Sequence, residues 1–187
     1  MEKKRKIVLL GDSIRQIGYG KKLGEVLGDG YEVLQPADNC RFAKYTMVLL
    51  RDMKDILEGA DIIHWNNGIW DASEFIDENP LTSIDEYVSD MLRLAALLKA
   101  NAKKVIFATS TMHKRGNERK NKRIQEYNAA IVPKLREIGV IINDLHTYVM
   151  SNAEEYICDD TVHLNELGIQ KVAEHVAKLI VKECEDI

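Results

Sequence analysis

The chain has 187 residues, an apolar share of 45%, a charged share of 30% and a formal net charge of −4. That length suits one domain, spanning residues 1–187, with a substantial core, and the composition is that of an ordinary globular protein. The acidic balance argues against a general nucleic-acid partner, and no apolar run approaches the length that spans a bilayer.

Lys3, Lys4, Arg5 and Lys6 precede the apolar run Ile7 to Leu10, which is too short for the core of a secretory signal. Its four residues are continuous rather than alternating, as in a strand buried on both faces of a parallel sheet. The predicted strands are Lys6–Leu10, Tyr31–Gln35, Asp61–Trp65, Lys104–Thr109 and Val140–Asn143. Helical stripes lie between them. The first runs through Met47, Leu50, Met53 and Leu57. A second follows Asn79-Pro80, where Ser83 and Glu86 have the spacing of a capping box. Ile124, Tyr127, Ile131 and Leu135 make a third, in which Pro133 is expected to produce a kink or mark the last segment. The last carries Leu167, Val172, Val176 and Ile180, with Asn165 as its cap. Strands alternating with helices imply an α/β fold, a parallel sheet with helices on both faces. Cys40, Cys158 and Cys184 are odd in number and lack metal-ligand spacing. With no export signal they are expected to be free thiols in a reducing, cytoplasmic setting. No metal or other cofactor is expected.

Sites in open parallel sheets form outside the carboxyl ends of the strands. Those ends carry Gly11-Asp12-Ser13, Asp38-Asn39-Cys40-Arg41, His64-Trp65-Asn66-Asn67-Gly68-Ile69-Trp70, and Thr109-Ser110-Thr111-Met112-His113. A late loop adds Asp160-Thr161-Val162-His163. Together they hold what acyl transfer requires. A serine needs a base to take its proton, and histidine suits that task near neutrality. A carboxylate must orient the ring, and Asp160 lies three residues before His163. Donors must meet the oxyanion, and the Ser13 N–H and the Asn66 amide are candidates. Each residue also has a structural reading: Ser13 as a helix cap, Asp160 and His163 as a solvated turn, Asn66-Asn67-Gly68 as turn chemistry.

Gly11-Asp12-Ser13-Ile14, the Asn-bearing third loop and Asp160-x-x-His163 before the last helix resemble the SGNH (GDSL) hydrolase family. The resemblance covers nearly the whole chain. It implies a three-layer α/β/α sandwich with a five-stranded parallel sheet in the flavodoxin-like order 2-1-3-4-5, and ester hydrolysis as the activity. It implies Ser13 as nucleophile, His163 as base, Asp160 as its orienter and Asn66 as an oxyanion donor. Where the family has Gly-x-Asn-Asp this chain has His64-Trp65-Asn66-Asn67, so Asn67 competes with Asn66. The family's glycine after the second strand is missing, and Cys40, with Asn39 as the alternative, is expected to supply that backbone N–H. Asp12, Asn67, Trp65 and Trp70 are expected at the substrate site, the two tryptophans either lining it or packing in the core.

The expected activity is a serine esterase acting on a small acyl ester, such as a carbohydrate O-acetyl ester, as a monomer or homodimer. No membrane or nucleic-acid partner is expected. A nucleotide-binding flavodoxin or Rossmann-like module is the alternative, together with a catalytically silent SGNH relative. Gly18-Tyr19-Gly20-Lys21-Lys22-Leu23-Gly24 lacks dinucleotide spacing, and no Gly-x-Ser-x-Gly elbow of the α/β-hydrolases is present. The basic stretch His113–Arg123 reads either as a solvated loop and helix start or as a lid attracting an anionic ester.

Overall fold

The structure, a computed structural model, describes residues 3–187. β1 (Arg5–Gly11) leads into a π-helical turn at Ile14–Gly18, a 3-10 turn at Tyr19–Lys21 and α1 (Leu23–Leu27). β2 (Tyr31–Leu34) is followed by α2 (Ala43–Leu50), a 3-10 turn at Arg51–Met53 and α3 (Lys54–Leu57). β3 (Ala60–Asn66) precedes the short α4 (Ile69–Ala72) and the long α5 (Ile84–Lys99). β4 (Ala102–Ala108), α6 (Glu118–Glu137) and β5 (Ile141–Asn143) follow. The chain ends with α7 (Leu145–Met150), α8 (Ala153–Tyr156) and α9 (Glu166–Cys184).

The five strands form one parallel sheet in the order β2-β1-β3-β4-β5. Alternate residues of each strand face opposite ways, so the continuous apolar runs feed two cores. Val8, Leu10, Ile63, Trp65, Val105 and Phe107 join the core under α2, α3, α5 and α6. Ile7, Leu9, Ile62, Ile106 and Ala108 join the core under α1, α7, α8 and α9. These are the three layers expected from the motifs. Among the described residues no helix is long and apolar enough to cross a membrane.

Local signals explain the ends. Ser83 accepts the Glu86 N–H and the Glu86 side chain returns to Ser83, closing the capping box. Asn165 Oδ1 accepts the Gly168 N–H at 2.9 Å and starts α9. Pro133 lies in the last turns of α6, so it marks the final segment rather than ending the helix at once. The stripe from Met47 to Leu57 is divided: α2 and α3 are separated by the 3-10 turn.

Candidate active site

The site is built where β1 stops. Asp12, not Ser13, caps the turn that follows: Asp12 Oδ1 accepts the Ile14 N–H at 2.9 Å, and the Ser13 side chain makes no cap bond. Ser13 Oγ instead meets His163 Nε2 at 2.8 Å. His163 Nδ1 meets Asp160 Oδ2 at 2.7 Å, across 150 residues from the serine. Asp160 Oδ1 also accepts the N–H groups of Val162 and His163, each at 2.9 Å. Burial acts to raise the Asp160 pKa, but these donors and the imidazole outweigh it and draw the carboxyl down to about 2. A carboxylate accepts only, so the ring proton sits on Nδ1 and Nε2 is free to accept the serine hydroxyl.

The loop holding Asp160 and His163 is closed by its own backbone. Ile157 and Leu164 form an antiparallel bridge, Cys158 N–H donates to the His163 carbonyl at 2.7 Å, and Asn165 N–H donates to the Tyr156 carbonyl at 2.8 Å. Thr161, at φ 71, takes the left-handed turn between them.

Asn66 and Asn67 part company at the end of β3. Asn66 pairs in register with Gly11, and its side chain lies over that glycine: a Cβ on Gly11 would stand 2.0 Å from Asn66 Oδ1. Gly11 also has φ 146, so the position excludes a side chain on both counts. Asn67 points the other way and is used structurally. Its Nδ2 donates to the Arg41 carbonyl at 2.9 Å and its Oδ1 accepts from Thr46 Oγ1 at 3.0 Å. Asn67 is therefore not at the substrate site as expected; it ties the second loop to the third.

Three other expectations are corrected. Cys40 is fully buried, and its N–H donates to the Gly11 carbonyl at 3.0 Å, so it is not free for an oxyanion. The Asn39 N–H is engaged by Asp38 Oδ1 at 2.7 Å. Trp65 packs on Phe107 with ring centroids 4.9 Å apart, wholly inside the core. Asp12 is buried beneath the serine rather than facing a ligand. Burial pushes its carboxyl upward, countered by the Asn66 amide, the Ile14 N–H and the charges of Arg15 and His163. Among the described residues the Ser13 N–H has no backbone acceptor, which leaves it available.

Arg15 went unnoticed in the sequence. Its buried guanidinium donates to the carbonyls of Gly11 at 2.9 Å, Pro36 at 2.9 Å and Asp38 at 2.8 Å, fastening the second loop to the end of β1. Arg41, at φ 49, completes that loop, with its N–H on Asn39 Oδ1 at 2.7 Å.

Ser13 and His163 open into a cavity of about 400 Å³. Ile69, Trp70, Ala72, Ile124 and Val162 give it an apolar lining, and Asn39 and His113 contribute polar groups. Trp70 is at this wall, with the Phe75 ring 4.9 Å away. The basic stretch is largely paired. Lys114 meets Asp159 at 3.7 Å, Arg115 meets Glu154 at 3.6 Å, and Arg119 and Arg123 both pair with Glu74. These pairs weaken the reading of the stretch as a collector of anions. Among the described residues no group of three or more His, Cys, Asp or Glu side chains could hold a metal ion.

No protein-family model and no curated relative matches the chain. Solved structures do match in fold. A catalytic mutant of Axe2, an acetylxylan esterase from Geobacillus stearothermophilus, aligns with a TM-score of 0.78 at 15% identity over 95% of both chains. A lipase/acylhydrolase from Enterococcus faecalis aligns at 0.74 and 18% identity over 94% of this chain and 95% of its own. The acetyl xylan esterase AlAXEase aligns at 0.76 and 19% over 93% and 98%. The fold is thus the α/β/α sandwich seen in these ester hydrolases, as the Gly-Asp-Ser and Asp-x-x-His motifs implied.

Proposed function

We propose that the protein is a serine esterase that removes a small acyl group, an O-acetyl group on a carbohydrate in the first instance. The observation that carries this is the 2.8 Å and 2.7 Å relay from Ser13 through His163 to Asp160 at the wall of a cavity. In this reading His163 Nε2 takes the Ser13 proton as Oγ attacks the ester carbonyl. Asp160 holds the imidazolium that forms. The proton then passes from Nε2 to the departing alcohol, leaving an acyl-serine that water attacks by the same route in reverse. The Ser13 N–H and the Asn66 amide stabilise the oxyanion. The loop after β2 contributes the Asn39 side chain, whose Oδ1 is held by Arg41, in place of the engaged Cys40 N–H. The apolar part of the wall of this cavity suits a small acyl group, and the Trp70–Phe75 pair offers aromatic faces to a sugar ring. The acetylxylan esterases among the similar structures support the choice of substrate.

Hydrolysis of p-nitrophenyl acetate and of acetylated xylo-oligosaccharides by wild type, Ser13→Ala and His163→Ala tests the reading. Both variants are expected to lose at least about 10³-fold in kcat/KM while remaining folded. Activity retained by Ser13→Ala would sink the nucleophile assignment. A second reading, a relative that binds an ester without cleaving it, draws on the engaged N–H groups of Asn39, Cys40 and Arg41. A wild type that binds acetylated sugars and leaves them intact decides for it.

A further inference from the structure

A chain of polar groups, all but the first buried, runs along the α9 face of the sheet from His175 to Asn66, and the esterase mechanism uses only its last member. His175 Nε2 lies 3.0 Å from Asn143 Oδ1. Asn143 Nδ2 lies 3.1 Å from His64 Nε2, and His64 Nδ1 lies 3.3 Å from Tyr19 Oη. The Tyr19 hydroxyl donates to Asn66 Oδ1 at 3.4 Å. His64, Tyr19, Asn66 and Asn143 are all buried, so each link replaces water rather than competing with it.

The direction of every link follows from which atoms can donate. An amide oxygen only accepts, so His175 donates to Asn143 Oδ1. That turns the Asn143 NH₂ toward His64 Nε2, which must then be bare. His64 stays neutral, because burial and the neighbouring His175 hold its pKa down to about 3. Its proton therefore sits on Nδ1 and points at the Tyr19 oxygen. With its oxygen already accepting, the tyrosine O–H is sent on to Asn66 Oδ1. Burial keeps that hydroxyl protonated by pushing its pKa upward. Gly11, which lies under the amide, offers no side chain to hold it, and the Asp12 carboxyl, the amide's other polar neighbour, lies on its NH₂ side and favours the same orientation.

We infer that Tyr19, set by His64 and Asn143, is a positioning residue that fixes the Asn66 amide with its NH₂ toward the oxyanion. This rests on the reading of Asn66 as an oxyanion donor. The amide plane has two nearly isosteric orientations, and only one presents N–H groups to the reacting carbonyl. A donor bonded to Oδ1 selects that one before substrate arrives, which is the preorganisation such a site needs. The residue acts from behind the amide: Tyr19 is wholly buried, with its hydroxyl on Asn66 Oδ1.

The test is a double-mutant cycle on p-nitrophenyl acetate, with thermal unfolding recorded for each variant. Asn66→Ala is expected to lower kcat by about 10²- to 10³-fold. Tyr19→Phe, which removes only the hydroxyl, is expected to lower kcat and kcat/KM together by about 5- to 20-fold, with KM within about two-fold of wild type. The double variant should be no slower than Asn66→Ala, and the midpoint of the pH–rate profile should not move, since His163 is untouched. Should Tyr19→Phe fail to fold, His64→Leu takes its place, with an expected fall of about 2- to 5-fold at unchanged KM and the same non-additivity. The rate at which a fluorophosphonate labels Ser13 gives the same comparison without dependence on the acyl group. Losses that multiply in the double variant, or a folded Tyr19→Phe as fast as wild type beside a crippled Asn66→Ala, would overturn the positioning role. A fully active Asn66→Ala overturns the oxyanion role itself, and the positioning role with it.

Discussion

Asp12 and Ser13 are neighbours of similar size with opposite placements. The carboxylate turns inward and caps the Ile14 N–H, which releases the hydroxyl to face His163. Asp160 is the more exposed carboxylate, and yet it is the one fixed by three donors. In the proposed mechanism, Asp160→Asn removes the charge that would hold the imidazolium and lets the ring take the wrong tautomer. A fall of about 10²- to 10⁴-fold in kcat/KM is expected, measured on p-nitrophenyl acetate with the fold checked by circular dichroism. The stability side is small. Asp160 is held below its ordinary value, so its contribution is complete above about pH 4 and lost as pH falls toward 2. The side chain is half exposed, and solvent screening limits that contribution to less than about 1 kcal/mol. The asparagine pair illustrates what adjacent residues conceal. Asn66 ends β3 and lies over Gly11, while Asn67, the first residue beyond the strand, is held by Arg41 and Thr46, but nothing in Asn-Asn says which one takes which place.

At the scale of elements, the histidine loop is held by the first turn of α9. Gly168 lies so close to α8 that a Cβ would stand 2.2 Å from the Tyr156 carbonyl oxygen. That atom belongs to backbone and cannot swing aside. Gly168→Ala is therefore expected to cost about 1–3 kcal/mol and lower the melting temperature by about 3–10 °C. Because the Tyr156 carbonyl also accepts the Asn165 N–H at the base of the loop, activity at low temperature should fall as well. Unchanged melting and kinetics in this variant would show that α8 and α9 are not rigidly coupled. The same reasoning explains which elements were legible. The five strands were found to within about two residues, since each is a short apolar run bounded by turn residues. α4, α7 and α8 went unseen because four to six residues carry too little periodicity to register.

At the scale of the molecule, a parallel sheet between two helical layers puts every strand's carboxyl end on one edge, so Ser13, Asn66 and the late loop converge there. Asp71 ties three parts of that edge together. Its carboxyl accepts the Ala43 N–H at the start of α2, its backbone carbonyl accepts the Thr82 N–H ahead of α5 at 3.0 Å, and burial raises its pKa to about 7. An acid raised on folding holds its proton longer in the native state than in the unfolded one. Stability should therefore fall as pH rises from about 4 to 7, by up to about 4 kcal/mol from this group. Asp71→Asn should flatten that fall, and urea titrations of both proteins between pH 4 and 8 measure it; parallel pH curves for the two would refute the assignment. The sequence by itself determined the fold class, the strand order implied by its motifs, and Ser13, Asp160 and His163 as candidates, which the structure brings within hydrogen-bond reach of one another. Those readings rest on local patterns: apolar runs, turn residues, and two short motifs at opposite ends of the chain. Only the tertiary structure decided that Trp65 is core and Trp70 is wall, that the Cys40 N–H is spent on Gly11, that the Tyr19 hydroxyl reaches Asn66, and that Arg15 fastens the second loop to β1. Those outcomes depend on which strand face meets which helix and on which carbonyls lie within 3 Å, and such long-range pairings leave no trace in local spacing.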